Sequence, residues 1–233
     1  MERQNRHFRP AGGRLSGWLR VVFGTALLLA PAVRADTPEV ELARRIVQAS
    51  GGDVWPSVTR LRFTFNVEMD GQLKTSARHD WNVKTGVDTI TQGDKSISTN
   101  VYEQKERQGD EKAAFQRWTN DTYWLLMPLK LLDAGVRLGP LITTRDLPPS
   151  RGRMTISFEN VGLTPGDQYD LSIDLKENRI DHWIYRPNPQ TSRGFTWEKY
   201  QNFNGLILST EHRSDDGRVR IYFTDIEVER ERE

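Results

Sequence analysis

The chain has 233 residues, 33 of them basic and 32 acidic, and no cysteine. That length suits one domain, or at most two small ones. The missing cysteines exclude disulfides, thiolate metal sites, cysteine nucleophiles and a thioether-linked lipid anchor, and the near-neutral charge argues against a bulk polyanion binder.

Residues 1–35 differ from the rest. Arg3, Arg6, Arg9, Arg14 and Arg20 precede an apolar run from Val21 to Ala30, and Val33-Arg34-Ala35 offers a cleavage site. This is the order of a secretory signal peptide, with cleavage near Ala35. The uninterrupted apolar run is about half the ~20 residues a spanning helix needs. Removing it leaves 27 basic against 31 acidic residues, a net charge of −4. A mildly acidic mature chain is a poor match for nucleic acid or an anionic membrane surface. Residues 36–233 are expected to form a single periplasmic domain that does not span a membrane, and a monomer.

Thr37-Pro38-Glu39 opens a helix, with Thr37 placed to cap it and Pro38 at its first position. Val40, Ala43, Ile46, Val47 and Ala49 give it an apolar stripe, and Gly51-Gly52 ends it. The period then changes to two. Leu61, Phe63, Phe65, Val67 and Met69 alternate with polar residues, and Asp70-Gly71 is a hairpin turn. The returning strand places Leu73, Thr75, Ala77, His79, Trp81 and Val83 on one face and Lys74, Ser76, Arg78, Asp80 and Asn82 on the other. Val87 to Thr91 and Ile97 to Tyr102 read as further strands.

A different pattern follows. Asn120-Asp121 precedes the apolar segment Tyr123 to Leu132, which Pro128 must kink. Asn120 or Asp121 is placed to cap a helix there. A helix apolar on nearly every side must be buried or cover an apolar surface. A loop rich in Gly and Pro continues to residue 152, so about 120–150 reads as a lid-like insertion. Strands then resume over Met154–Phe158, Tyr169–Leu175, Ile180–Tyr185, Phe195–Phe203, Leu206–His212 and Val219–Val228, separated by turn signals such as Asn204-Gly205 and Asp216-Gly217. The C-terminal Glu-Arg-Glu-Arg-Glu reads as a frayed tail. The whole predicts a mainly β fold with short helices: a single antiparallel sheet curved into an unclosed β-barrel with a helical lid.

Chemistry-bearing motifs are sparse. His79, His182 and His212 have no neighbouring ligand spacing, and no G-x-S-x-G, S-x-x-K or Walker sequence occurs. No cofactor, metal or catalytic residue is assigned. Asp170 and Asp174 share a strand face and, with His182, are the residues a secreted hydrolase would use. Aromatics are the richer signal. A curved sheet with an apolar interior and a small cover describes a hydrophobic-ligand carrier. The candidate ligand-binding residues are Phe63, Phe65, Trp81, Tyr123, Trp124, Leu125, Met127, Leu129, Trp183, Tyr185, Trp197 and Tyr200.

Over residues 37–228 the chain resembles the LolA/LolB-like superfamily of periplasmic lipoprotein carriers. The cues are Tyr123-Trp124-Leu125-Leu126-Met127-Pro128-Leu129-Lys130-Leu131, Trp197-Glu198-Lys199-Tyr200, Gly205-Leu206-Ile207-Leu208-Ser209 and Ile221-Tyr222-Phe223-Thr224-Asp225-Ile226. The resemblance implies a soluble, non-enzymatic carrier whose concave face takes up a lipid or acylated protein beneath a movable lid. It also implies a polar residue that locks the lid; Arg62 and Arg78 fall on the polar face, away from that role. The alternative is an interaction module of the same fold that senses an envelope protein partner.

Overall fold

The computed structural model describes residues 36–159, 166–188 and 190–231, and the expected signal peptide lies outside them. Helix α1 spans Pro38–Ala49 and buries Leu42, Ala43 and Ile46. Thr37 holds extended backbone at its N-cap, but its side chain makes no capping bond. Strand β1 (Val58–Met69) turns into β2 (Gln72–Asn82) through Asp70 and Gly71, at φ 51° and 76°. Both central residues are left-handed, as the hairpin turn that matches strand twist requires, and Asp-Gly tolerates this. Strands β3 (Val87–Gln92) and β4 (Lys95–Asn100) extend the meander.

Helix α2 runs from Gly109 to Leu126 and ends in a 3-10 turn, Met127–Lys130, where Pro128 removes a backbone donor. It begins at least twelve residues before the expected start. Asn120 and Asp121 are therefore mid-helix residues, not caps. The Gly- and Pro-containing segment that follows carries a short strand, β5 (Val136–Leu138). Next come β6 (Arg151–Phe158), β7 (Gln168–Asp174), β8 (Arg179–Asn188), β9 (Thr191–Thr196), β10 (Glu198–Phe203), β11 (Leu206–Arg213) and β12 (Val219–Arg230). The tail is less free than expected: Arg230 pairs with Val58, and its Nε donates to Ser57 Oγ at 2.8 Å.

All pairings are antiparallel and fall into two hydrogen-bonded sets, β10-β11-β12-β1-β2-β3-β4 and β5-β6-β7-β8-β9. The expected strand Phe195–Phe203 is the junction. Its first half, β9, pairs with β8 and its second half, β10, with β11, so the chain changes partner at Trp197. Two contacts bridge the junction, a Phe195–Ser214 β-bridge and a bond from Asp215 N to Gly194 O at 3.0 Å. A Cβ on Gly194 would meet the Asp215 carboxylate, so a larger residue there would have to displace that side chain. The expected single sheet is thus two sheets joined at this junction, and because β4 and β5 do not pair, the strands do not close into a barrel.

One core fills the concave side. Leu61, Phe63, Phe65, Ile156, Leu171, Ile173, Leu208 and Phe223 from the strands meet Leu42 and Ile46 of α1 and Leu125 and Leu126 of α2. Among the described residues no helix is long and apolar enough to cross a membrane.

Candidate functional site

Two features lie where α2 meets the concave face: a buried charged cluster and an aromatic cavity. The cluster starts with His79, whose alternation on β2 points it inward with Ala77 and Trp81. Its ring stacks on Phe63, with centroids 4.5 Å apart and planes 10° apart. Nδ1 lies 2.8 Å from Asp88 of β3, and Nε2 lies 3.1 Å from Asp121 of α2. All three side chains are fully buried. Asp121 also accepts from Arg117 Nε at 2.7 Å and from Asn120 Nδ2 at 2.9 Å.

Burial opposes a charge on His79. The hydrogen bonds from its ring to Asp121 and Asp88 outweigh that cost, and its pKa is raised. With His79 protonated, two carboxylates face one imidazolium and one guanidinium, so the buried cluster is neutral. The two carboxylates sit on opposite ring nitrogens and do not converge on a point where an ion would bind. Among the described residues no His/Asp/Glu group is arranged to hold a metal.

The other two histidines are separate from this cluster. His212 of β11 is buried among Trp124, Trp197 and Phe223, and its Nδ1 donates to Thr196 O at 3.0 Å. Burial pushes its pKa down to about 4, against weaker support from backbone hydrogen bonds. His182 pairs with Asp215 at 2.7 Å. The hydrolase candidates are held in local contacts. Asp170 accepts from Thr155 and Arg186, and Asp174 accepts the Lys176 and Glu177 amides at the β7–β8 turn.

His79 with Asp121 makes a buried polar contact between sheet and helix. Arg62 stays on the outer face with Asp80, Glu227 and Glu229, and Arg78 is exposed there.

The cavity, about 300 Å³, lies between α2 and the inner face of β6, β7 and β8 and opens on one side. Its walls are Trp118, Tyr123 and Trp124 from α2, and Phe158, Tyr169 and Trp183 from the strands. Neighbouring rings are in contact: Tyr123 with Phe158 at 5.7 Å, Tyr169 with Trp183 at 4.6 Å and Trp124 with Trp183 at 4.5 Å. Lys130, Asp133, Ala134, Val136, the buried Asp167 and the α2 residues Thr119, Asn120 and Thr122 complete the lining. The volume is at the small end for an organic ligand, and six aromatic residues share the lining with Thr119, Asn120, Thr122, Lys130, Asp133 and Asp167.

Of the twelve expected ligand-binding residues, Tyr123, Trp124 and Trp183 line this cavity. Phe63, Phe65, Trp81, Leu125, Met127 and Trp197 are buried in the core. Leu129 and Tyr200 pack against that core, and the Tyr200 hydroxyl donates to Ile180 O at 2.6 Å. Tyr185 stacks beside Tyr169, with ring centroids 5.1 Å apart. The sequence reading missed Trp118, Phe158 and Tyr169. The period of two carried a signal for the latter pair, since Phe158 follows Met154 and Ile156, and Tyr169 precedes Leu171 and Ile173, on the inward faces.

No protein-family model matches the chain, and no curated protein matches it. Among solved structures the chain is similar to a DUF1329 family protein from Desulfovibrio piger. The identity is 10% over 83% of this chain and 94% of that one, with a TM-score of 0.46. It is similar also to a protein from Nitrosomonas europaea, at 8% identity over 82% of this chain and 94% of that one, with a TM-score of 0.44. That second structure is described as a LolA superfamily protein.

Proposed function

We propose that this chain is a non-enzymatic periplasmic carrier that holds the acyl part of a lipid or lipid-modified protein against α2. The observation that carries the reading is the aromatic cavity, open on one side, between α2 and β6–β8. Burying an acyl chain there contributes about 0.8 kcal/mol per methylene, so a few methylenes decide occupancy. The segment 120–150 serves as the lid in this reading: Tyr123 and Trp124, with Trp118 just before it, form one wall of the cavity, and Lys130, Asp133, Ala134 and Val136 complete that side. Leu125, Leu126 and Met127 anchor the same segment in the core. Movement at the rim therefore admits ligand without withdrawing the helix. The signal-peptide pattern of residues 1–35 supports the compartment.

Native mass spectrometry of the protein recovered from a bacterial periplasm tests this reading. The expected result is a co-purifying lipid, or an added fatty acid retained at one per chain. A chain that neither carries nor retains lipid contradicts it.

A further inference from the structure

We propose that His79 is a proton-operated clamp on α2: doubly protonated it holds the helix to the sheet, and on losing one proton it frees the helix wall of the cavity. The clamp stands on the buried cluster alone; that the freed wall releases ligand rests on the carrier reading.

The contacts fix how many protons the ring must carry. Nδ1 lies 2.8 Å from Asp88 Oδ2, and Nε2 lies 3.1 Å from Asp121 Oδ2. A carboxylate only accepts, so both contacts are hydrogen bonds only when both nitrogens carry a proton. A neutral imidazole has one N–H and turns a lone pair toward the other carboxylate. Among the described residues, β1 presents Phe63 to the ring, β3 presents Asp88, and α2 presents Asp121 with its partner Arg117.

The two carboxylates are held unequally. Asp88 bonds to the ring through Oδ2, and its buried Oδ1 has no partner. Asp121 has a cation of its own: Arg117, on the same helix, donates from Nε to the same Oδ2 at 2.7 Å. The proton that leaves is therefore the one on Nε2, since Asp88 depends on Nδ1–H. A lone pair then faces Asp121 in a dry site, where an unpaired polar contact is costly. Asp121 and Arg117 move together with α2, so the helix parts from the ring without stranding either charge. Trp118 and Trp124, three residues before and after Asp121, are cavity walls and move with it. Docking raises the His79 pKa, so the clamp holds fully below about pH 6.5. Opening then grows by up to about tenfold per pH unit until the docked value is passed.

The test uses thiol labelling of the mature protein, because the chain has no cysteine of its own. Ala114→Cys places a thiol under α2, at a site 4% exposed that packs on Ala77 and Ile90. Ala113→Cys, exposed beside it, cancels the ionisation of the thiol itself. Ala43→Cys, buried in α1, reports unfolding of the whole chain. Relative to the exposed reference, labelling at 114 should exceed that at 43 throughout and rise at least about tenfold between about pH 6 and 9. His79→Gln should flatten this course, as should Asp121→Asn, whose amide can donate to a neutral ring; either variant that folds suffices. Dissociation of a pyrene-labelled fatty alcohol, which does not titrate, should quicken over the same range. A flat course at 114, equal rates at 114 and 43, or a course unmoved in a folded variant overturns the clamp. Release that ignores pH while labelling at 114 rises overturns its control of the ligand. No binding of the alcohol at any pH overturns the carrier reading, and labelling still decides the clamp.

Discussion

His79 of β2 and Asp121 of α2 meet at 3.1 Å, both fully buried, and this contact ties the helix to the curved sheet. Asp88 holds the other ring nitrogen, and Arg117 supplies the remaining positive charge. A hydrophobic plug alone would let α2 slide over a smooth apolar face. A buried charge network sets its register, because any displacement leaves a desolvated charge without its partner.

Replacing His79 with Ala leaves Asp88 and Asp121 buried with only Arg117 to match them. Removing one partner of a buried ion pair costs about 3–5 kcal/mol. Urea denaturation of His79→Ala should show a loss of that order, whereas a loss below about 1 kcal/mol would mean that water enters and screens the cluster.

Stability should depend on pH with a maximum near the ordinary histidine pKa. His79 is raised in the folded state, so its contribution is fully present below pH 6.5 and is lost as pH rises through the folded value. His212 is lowered to about 4 in the folded state. The unfolded chain therefore binds the extra proton between pH 4 and 6.5, and stability falls as pH drops through that window. Glu211 continues the fall. Burial opposes its charge, but Arg220, Lys199 and Arg213 hold its pKa at about 2. Its contribution is present above 4.5 and disappears toward 2. Thermal melts from pH 3 to 9 should trace this profile, and His79→Gln should flatten only the alkaline side. An alkaline limb unchanged in that variant would remove His79 from the account.

Leu125 and Trp124 are neighbours on α2 with different duties. Leu125 is 1% exposed and belongs to the core, so Leu125→Ala should cost about 2–5 kcal/mol of stability. Trp124 lines the cavity, and Trp124→Leu should weaken amphiphile retention by a larger factor than Leu125→Met does. Equal binding in the two variants would place the ligand elsewhere.

Trp197, 2% exposed, stands where the chain passes from one set of strands to the other. It packs on Trp183 and His212 at 5.1 and 4.4 Å. Trp197→Ala should cost about 3–5 kcal/mol, and hydrogen exchange should rise first in β9 and β10. Uniform exchange across the sheet would contradict a special role for this junction.

The strands of the first hairpin were legible because a single rule, alternation around Asp-Gly, sets their faces and register. Two features escaped. Helix α2 buries Ala114, Thr122, Leu125 and Leu126, but Asp121 lies on the same buried face. A carboxylate inside a helix reads as solvent-facing until His79, 42 residues earlier in the chain, is seen beside it. Phe195 to Phe203 reads as one strand because propensity cannot show a change of partner. The positive φ of 54° at Lys199 shifts the phase, turning Lys199 out toward Glu211 while Tyr200 packs against the core. The cavity was half legible for the same reason: its α2 wall is a run of neighbours in sequence, whereas its sheet wall is assembled from three strands.

The central claim is that the space beside α2 holds an acyl chain. Ala134 is exposed on the rim of that space and away from the core. Ala134→Trp should therefore fill the opening without loss of stability. The direct measurement is displacement of a fluorescent fatty-acyl probe from the wild-type protein and from Ala134→Trp, beside a thermal melt of each. The account predicts saturable binding to the wild type and a weakening of at least about tenfold in the variant at unchanged melting temperature. No saturable binding, or equal binding by both proteins, would contradict it.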